Sequence, residues 1–376
     1  MKIGTITYHR ARNYGSVLQT YALSKYLRYQ GHDVETIDFF TNNQSNMYKK
    51  YEQIKLNKSG IMSIARNFQT LLYSKQFDEK DKKFNDFIKK NVPLTPFSSH
   101  SSEDLKERNL SEQFDLFICG SDQIWNTNCG DFAQAYLLDF VTDKSKCCAY
   151  APSIGITKVE TKSEELFKKY LVNFKKLSVR EQNSSEYLGK LIHRKVATVL
   201  DPVFLLDCRE WGAIAAPLDI KGKFVFGYYI GDIPGMRKYG EYIARSIHGN
   251  VVVVNKNLRD IYINHKIVKY DAGPEEFLWL IKNAELVCTN SFHAVAFSLI
   301  MNKKFWVFVN RSEDASTKPN QRILNITSIS GLESRVIDEN TCYSNDWNTD
   351  IDWEAVNMKM STFIKNAKDY LSECIS

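Results

Sequence analysis

An α/β fold of two similar, Rossmann-like halves is what this sequence predicts, and three observations carry that expectation. Strand-like apolar runs alternate with helical ones along most of the 376 residues. The alternation restarts near Lys223, after a break at Asp207 to Gly222. The chain is also long enough for two hydrophobic cores. The expected division is residues 1–207, then 208–350, then a closing segment 351–376.

The first half opens with a strand at Lys2 to Tyr8, a loop, a helix from about Ser16 to Gln30 closed by Gly31, and a strand at Val34 to Asp38. This is a βαβ unit. Further strands are expected at Leu116 to Cys119, Lys146 to Ala151, Leu177 to Arg180 and Ala197 to Leu200, with helices near Ser163 to Phe174 and Gln182 to Leu191. The second series has strands at Phe224 to Ile230, Val251 to Asn255, Leu286 to Thr289 and Phe305 to Val309. Trp353 to Leu371 reads as a helix that can pack back on the first half.

Thr41 to Asn109 differs in character, being rich in Lys, Asn and Ser, and is expected to be a helical insertion. Ile61, Ile64, Ala65, Phe68, Leu71 and Leu72 fall at helical spacing within it. One reading packs this apolar stripe on the first half and leaves the charges in solvent. The other brings Lys49, Lys50, Lys55, Lys58 and Arg66 to anionic lipid headgroups, as a peripheral membrane contact.

Composition narrows the function. A formal charge of +6 is small for this length and, with no DNA-binding motif, does not point to nucleic acid, although it suits anionic ligands. The N-terminus reads as a strand, so no signal peptide is expected, and no apolar run approaches a bilayer span. Eight cysteines are scattered without a CxxC pair, which argues against a disulfide framework and a zinc site. The expectation is a reduced, cytoplasmic protein that needs no metal.

Leu286 to Val309 is the most telling stretch, because it sets His293 where an apolar strand turns into an apolar helix. The free N–H groups of a helix's first turn, with the macrodipole, favour a phosphate or carboxylate there. Thr289, Asn290 and Ser291 suit the turn and cap, and Phe292 and His293 open the helix. A histidine bonded only locally is the alternative. The first loop, His9 to Gly15, lacks GxGxxG, so NAD is not expected. Asn13, Tyr14, Gly15 and Ser16 can still receive polar groups of a substrate, or simply form a turn and cap. Ser121, Asp122 and Gln123 follow the strand Phe117 to Cys119 and offer a hydroxyl, a carboxylate and an amide for sugar hydroxyls; capping is their other use. Arg180, ending another strand, can grip a carboxylate or phosphate, or pair with Glu181.

In order along the chain, NYGSVLQTYAL (Asn13 to Leu23), GSDQIWN (Gly120 to Asn126), SVRE (Ser178 to Glu181), LDPVFLL (Leu200 to Leu206) and TNSFHAVAFSL (Thr289 to Leu299) resemble the polysaccharide pyruvyltransferase family. The resemblance implies a GT-B-like arrangement with an interdomain cleft. It also implies transfer of the enolpyruvyl carbons of phosphoenolpyruvate onto two hydroxyls of a sugar, in capsule or exopolysaccharide synthesis, with no cofactor. By motif match Arg180 and His293 carry over as donor-binding or catalytic residues, and Asp122 is the candidate base toward the acceptor, lipid-linked or free. Some relatives carry an arginine where this chain has Ser291, and Arg311, Lys318 or Arg322 are the candidates to replace it. A GT-B sugar-nucleotide glycosyltransferase and a non-catalytic binder of anionic saccharides are the alternatives.

Overall fold

A computed structural model describes residues 1–51, 58–155, 159–255, 257, 258, 260, 263, 264, 266–310, 320–344 and 346–376. The first sheet holds β1 (Lys2–Ile6), β2 (Asp33–Phe39), β3 (Leu94–Ser99), β4 (Leu116–Cys119) and β5 (Cys147–Ala149), in the order β3-β2-β1-β4-β5, all parallel. Two short parallel strands, β6 (Ser178–Val179) and β7 (Ala197–Thr198), continue it, since the Ala149 amide donates to Lys176 O at 3.0 Å. The second sheet holds β8 (Phe224–Tyr228), β9 (Asn250–Val253), β10 (Lys266–Val268), β11 (Leu286–Thr289), β12 (Phe305–Phe308) and β13 (Val336–Ile337), in the order β10-β9-β8-β11-β12-β13. The segments LFIC, FVFGY, LVCT and FWVF are buried at every residue, as parallel strands covered on both faces require.

In both sheets the chain winds outward from the first strand and reverses at the neighbouring fourth. Crevices at the carboxyl ends of such switch points, here β1/β4 and β8/β11, are where open sheets hold ligands. The two sheets bring these crevices face to face across the helix Tyr14–Tyr29, 13 of whose 16 residues are buried. Tyr14 stacks on Phe277 at 4.4 Å between ring centroids and meets Phe84 and Tyr228, so one hydrophobic core runs through both halves.

The segment 41–109 is not wholly helical. β3 lies within it and forms the edge of the first sheet. LTPFSS carries no apolar run, and Pro96 is tolerated because an edge strand leaves one row of amides unpaired. β10 and β13, three and two residues long, likewise fall below what periodicity detects. The helix Ser74–Asn91 buries Phe84, Phe87 and Ile88 and reaches the second half, where Lys83 Nζ lies 2.5 Å from Glu276 and Lys80 Nζ donates to Val254 O at 3.1 Å. The closing helix Trp353–Ile375 docks on the first half: the Tyr370 hydroxyl donates to Ala149 O at 2.8 Å and Lys175 Nζ to Cys374 O at 3.1 Å.

Between the halves, Asp207 and Glu210 form a reciprocal capping box that starts the helix Cys208–Ile214. Trp211 on that helix is fully buried, donates Nε1 to Val203 O at 3.0 Å and meets Phe297 edge-on at 4.9 Å. Trp211→Ala is expected to cost about 3–5 kcal/mol, the range for a buried aromatic. Equilibrium urea unfolding, followed by far-UV circular dichroism, measures it.

Candidate functional site

At the switch point of the second sheet, Ser291 caps the helix Phe292–Ile300 without a side-chain cap bond. The amides of Phe292, His293 and Ala294 therefore keep the free donors of a helix N-terminus. Ser291 is itself held by its amide, which donates to Thr289 Oγ1 at 3.0 Å. His293, in the first turn, is buried against the first half. Gly15 is the residue it meets, and a Cβ added at Gly15 would overlap the imidazole. Glycine is thus required here by close approach.

On the first half Arg180, Glu181 and Asp201 converge. Arg180 Nη1 donates to Asp201 Oδ2 at 2.6 Å, Arg180 Nε lies 3.5 Å from Glu181, and the guanidinium stacks over the Phe292 ring at 4.5 Å. His293 Nε2 stands 3.5 Å from the same Asp201 oxygen, at the limit of a hydrogen bond. Asp201 is fully buried and also accepts the Val203 amide at 3.1 Å. The Ser121 hydroxyl lies 3.0 Å from Asp201 Oδ2 and 2.7 Å from Ala151 O. Burial pushes the Asp201 pKa up, but the His293 ring and the Arg180 guanidinium outweigh it and hold the carboxyl well below the usual range.

Asp122 sits alongside. Its Oδ2 accepts the Ser16 hydroxyl and its Oδ1 the Gln123 amide at 2.9 Å. Arg322 completes the cluster: burial and then the Arg180 charge push its pKa down, against Glu181, Asp122 and Asp201, which push it up. Among the described residues Arg180 Nη2, Glu181 Oε2, His293 Nε2 and Arg322 Nε are buried without a hydrogen-bond partner. Unsatisfied buried groups are costly, and several in one place mark a site built for a ligand.

The structure joins Arg180 to His293 and brings Asp122 beside them, but it changes other assignments. Tyr14 is a correction: its hydroxyl donates to Ala272 O at 2.7 Å and its ring belongs to the core, so it offers an acceptor nothing. Asn13 is a helix cap, accepting the Gly15 amide at 2.9 Å, and Gly15 serves His293. Ser121 is also corrected, since its hydroxyl is turned inward onto Asp201 and the backbone. Gln123 Oε1 accepts Asn126 Nδ2 at 3.0 Å beside Gly155. Phe292 contributes its ring to Arg180, and Arg311 and Lys318 lie outside the described residues. Asp201 was missed, although it stands inside LDPVFLL; its signal was an acid before proline in an otherwise apolar run. Ser16, grouped with Asn13 to Gly15 as a contact for substrate polar groups or a cap, gives its hydroxyl to Asp122, and Glu181 stands as the expected partner of Arg180.

On the first half a cavity of about 720 Å³ is lined in part by Arg10, Arg12, Phe40, Gln44, Tyr48 and Lys89; none of Arg180, Asp201, His293 or Asp122 lines it. Both polar atoms of the Gln44 amide are buried there with no partner among the described residues. Arg10 stacks on Phe40 at 4.7 Å and pairs with Asp38, whose pKa, pushed up by burial, is brought down to about 2 by Arg10 and His9. Burial raises the Tyr48 phenol, and Asp131 and Asp122 raise it further.

Two outcomes are expected. An unfolded aspartate titrates near 3.9, above the folded Asp201, so this pairing stabilises fully at neutral pH and its contribution is lost as pH falls below about 5. Asp201→Asn should therefore cost roughly 3–5 kcal/mol at neutral pH, and a smaller cost at pH 4, in urea midpoints compared across that range. Gly15→Ala should cost about 1–3 kcal/mol through overpacking against His293, whereas Gly130→Ala, with nothing within 4 Å of its added Cβ, should be near neutral in the same assay.

The fold resembles solved structures of distant sequence. UDP-GlcNAc 2-epimerase from Methanocaldococcus jannaschii aligns with a TM-score of 0.54 at 12% identity, over 98% of this chain and 100% of that one. A putative UDP-N-acetylglucosamine 2-epimerase from Listeria monocytogenes aligns with a TM-score of 0.50 at 11% identity, over 98% and 97%. These likenesses establish a two-domain α/β, GT-B-like fold. No curated protein matches the sequence. The model of one family, polysaccharide pyruvyl transferase, matches residues 13–312, a span that holds Asn13, Asp122, Arg180, Asp201 and His293. With most of its length inside that match, Arg180, Asp201 and His293 included, the chain belongs to the polysaccharide pyruvyl transferase family.

Proposed function

We propose that this transferase moves the enolpyruvyl carbons of phosphoenolpyruvate onto two hydroxyls of a sugar, forming a pyruvate ketal in capsule or exopolysaccharide synthesis. One observation carries the reading: Arg180 and His293, from opposite halves, meet on Asp201 beside the helix amides and keep buried nitrogens without partners. Such a place suits a small ligand with two anionic groups. Arg180 Nη2, Arg322 Nε and the amides of Phe292 and His293 supply donors for its phosphate and carboxylate.

The chemistry follows from these positions. His293 Nε2 gives a proton to the methylene carbon of phosphoenolpyruvate, which becomes the methyl group, and charge builds at the adjacent carbon. Asp201, 3.5 Å from Nε2, fixes where the ring stands. The first sugar oxygen adds to that carbon and its proton passes to Asp122. The carbon–oxygen bond to phosphate then breaks, the phosphate keeping the electron pair, and the second sugar oxygen adds with loss of its proton. One of the two released protons restores His293 and the other leaves on inorganic phosphate. Arg180, Arg322 and the helix N-terminus stabilise the leaving phosphate.

The acceptor seats in the first-half cavity, where Phe40 and Tyr48 offer faces to sugar rings and Gln44 offers an unspent amide. Its site lies on the first half and the donor's is shared by both halves, with Asp122 on the acceptor's side. The reaction takes place at the inner face of the cell membrane if the acceptor is carried on a lipid.

Calorimetric titration with phosphoenolpyruvate, and separately with nucleotide sugars, tests the donor. Saturable binding of phosphoenolpyruvate is expected, weakened in Arg180→Lys, which keeps the charge and loses the fork. His293→Ala should bind the donor yet release phosphate roughly 10²–10⁴-fold more slowly with a productive acceptor. Binding of a nucleotide sugar alone would overturn the reading.

A further inference from the structure

The helix Lys58–Leu72 is mounted inside out. Ser63, Gln69 and Thr70 are buried against the protein, and Gln69 Nε2 donates to Asn257 O at 3.3 Å and reaches the Tyr270 hydroxyl at 3.4 Å. Ile64, Phe68, Leu71 and Leu72 are instead between 53% and 66% exposed. Their spacing of four, three and one puts all four on one helical face. The expectation that this stripe packs on the first half is therefore wrong, because the inward side is taken by polar residues, of which Gln69 is bonded to the second half. Met47 and Tyr51 are also exposed, close by in the chain to Lys50, whose Nζ pairs with Asp78 at 2.5 Å and donates to Ser74 Oγ at 2.8 Å in the next helix.

Charge selects the occupant. Of residues 41–75 six are lysine or arginine (Lys49, Lys50, Lys55, Lys58, Arg66 and Lys75), and Glu52 is the one acid. This stretch holds a net five of the chain's formal +6. A second copy of the chain would bring an equally basic rim against it, whereas an anionic surface would neutralise it. Apolar residues on one face of a helix within a basic segment are the two signals that together hold a protein at a lipid surface. None of the described helices is long and apolar enough to cross a bilayer, so the contact lies in the interface plane.

We infer that the exposed face Ile64, Phe68, Leu71 and Leu72 docks on an anionic lipid bilayer, with exposed lysines of the same segment, Lys49 and Lys75, drawn to the headgroups. This surface goes beyond the pyruvyl reading and does not rest on it, because vesicle binding is read without donor or acceptor.

The test is sedimentation of the full chain with phosphatidylglycerol–phosphatidylcholine vesicles and with pure phosphatidylcholine, alongside its mass in solution by light scattering. Binding is expected on the anionic vesicles, at least about 10-fold weaker in the triple variant Phe68→Ser, Leu71→Ser, Leu72→Ser and weaker again at high salt. Lys49→Glu with Lys75→Glu should weaken binding to anionic vesicles alone. The urea midpoint of each variant should match that of the parent, since the side chains changed are exposed. No binding, binding indifferent to the triple variant, or a dimer that the triple variant dissolves would each overturn the inference.

Discussion

Asp201 is a carboxylate with no access to solvent, and a charge in that position is tolerated only where its partners are already in place. Those partners come from three stretches of chain: Arg180 after β6, Ser121 after β4, and His293 at the head of a helix in the second half. Folding the first half alone would leave the carboxylate short of one of them. The contact at His293 also needs the second half to come close, which Gly15 permits by having no side chain. The relative placement of the two sheets, the orientation of the imidazole and the ionisation of the site thus depend on one buried charge.

The seam around that charge is apolar. Tyr14, Phe84, Tyr228, Phe277 and Phe297 fill it, and the helix Tyr14–Tyr29 is covered by both halves. The insertion strengthens the arrangement, since Lys83 pairs with Glu276 and Lys80 holds the end of β9 while lying 4.7 Å over the Tyr14 ring. Burial draws the Lys80 pKa down to about 8, against the pull of Asp81 and Asp271. A segment that sequence reading sets apart as an addition is, in the structure, a clamp across the seam.

How much could be read beforehand follows from the same physics. Apolar strands buried on both faces announce themselves, so β4, β8, β11 and β12 were legible, and so was the helix carrying His293. β3 was not, because an edge strand with four of its six residues serine, threonine or proline has no apolar pattern. Arg180 and His293 were legible from their places at strand and helix ends. Asp201 was not, because its importance lies in what surrounds it in space, and its neighbours are 21, 80 and 92 residues away in the chain. Tyr14 misled for the converse reason: a polar-tipped ring at the right place in a loop looks like a ligand contact until the second half is seen to cover it.

A tightly filled seam constrains how ligands can enter. Uncovering an aromatic ring of this size exposes roughly 150–250 Å², at about 25 cal/mol for each square ångström, or on the order of 4–6 kcal/mol per ring. A hinge that parted Tyr14 from Phe277 and Tyr228 would expose three such rings and break the contact between His293 and Asp201 as well. That cost exceeds what a small donor returns, with its few charge-assisted hydrogen bonds. The buried cluster is therefore better served by an entry that leaves the two halves together than by their separation. A donor of the proposed kind would then have to reach the buried nitrogens of Arg180 and His293 while Tyr14, Phe277 and Tyr228 stay packed, so that its chemistry would run in a site already shielded from water.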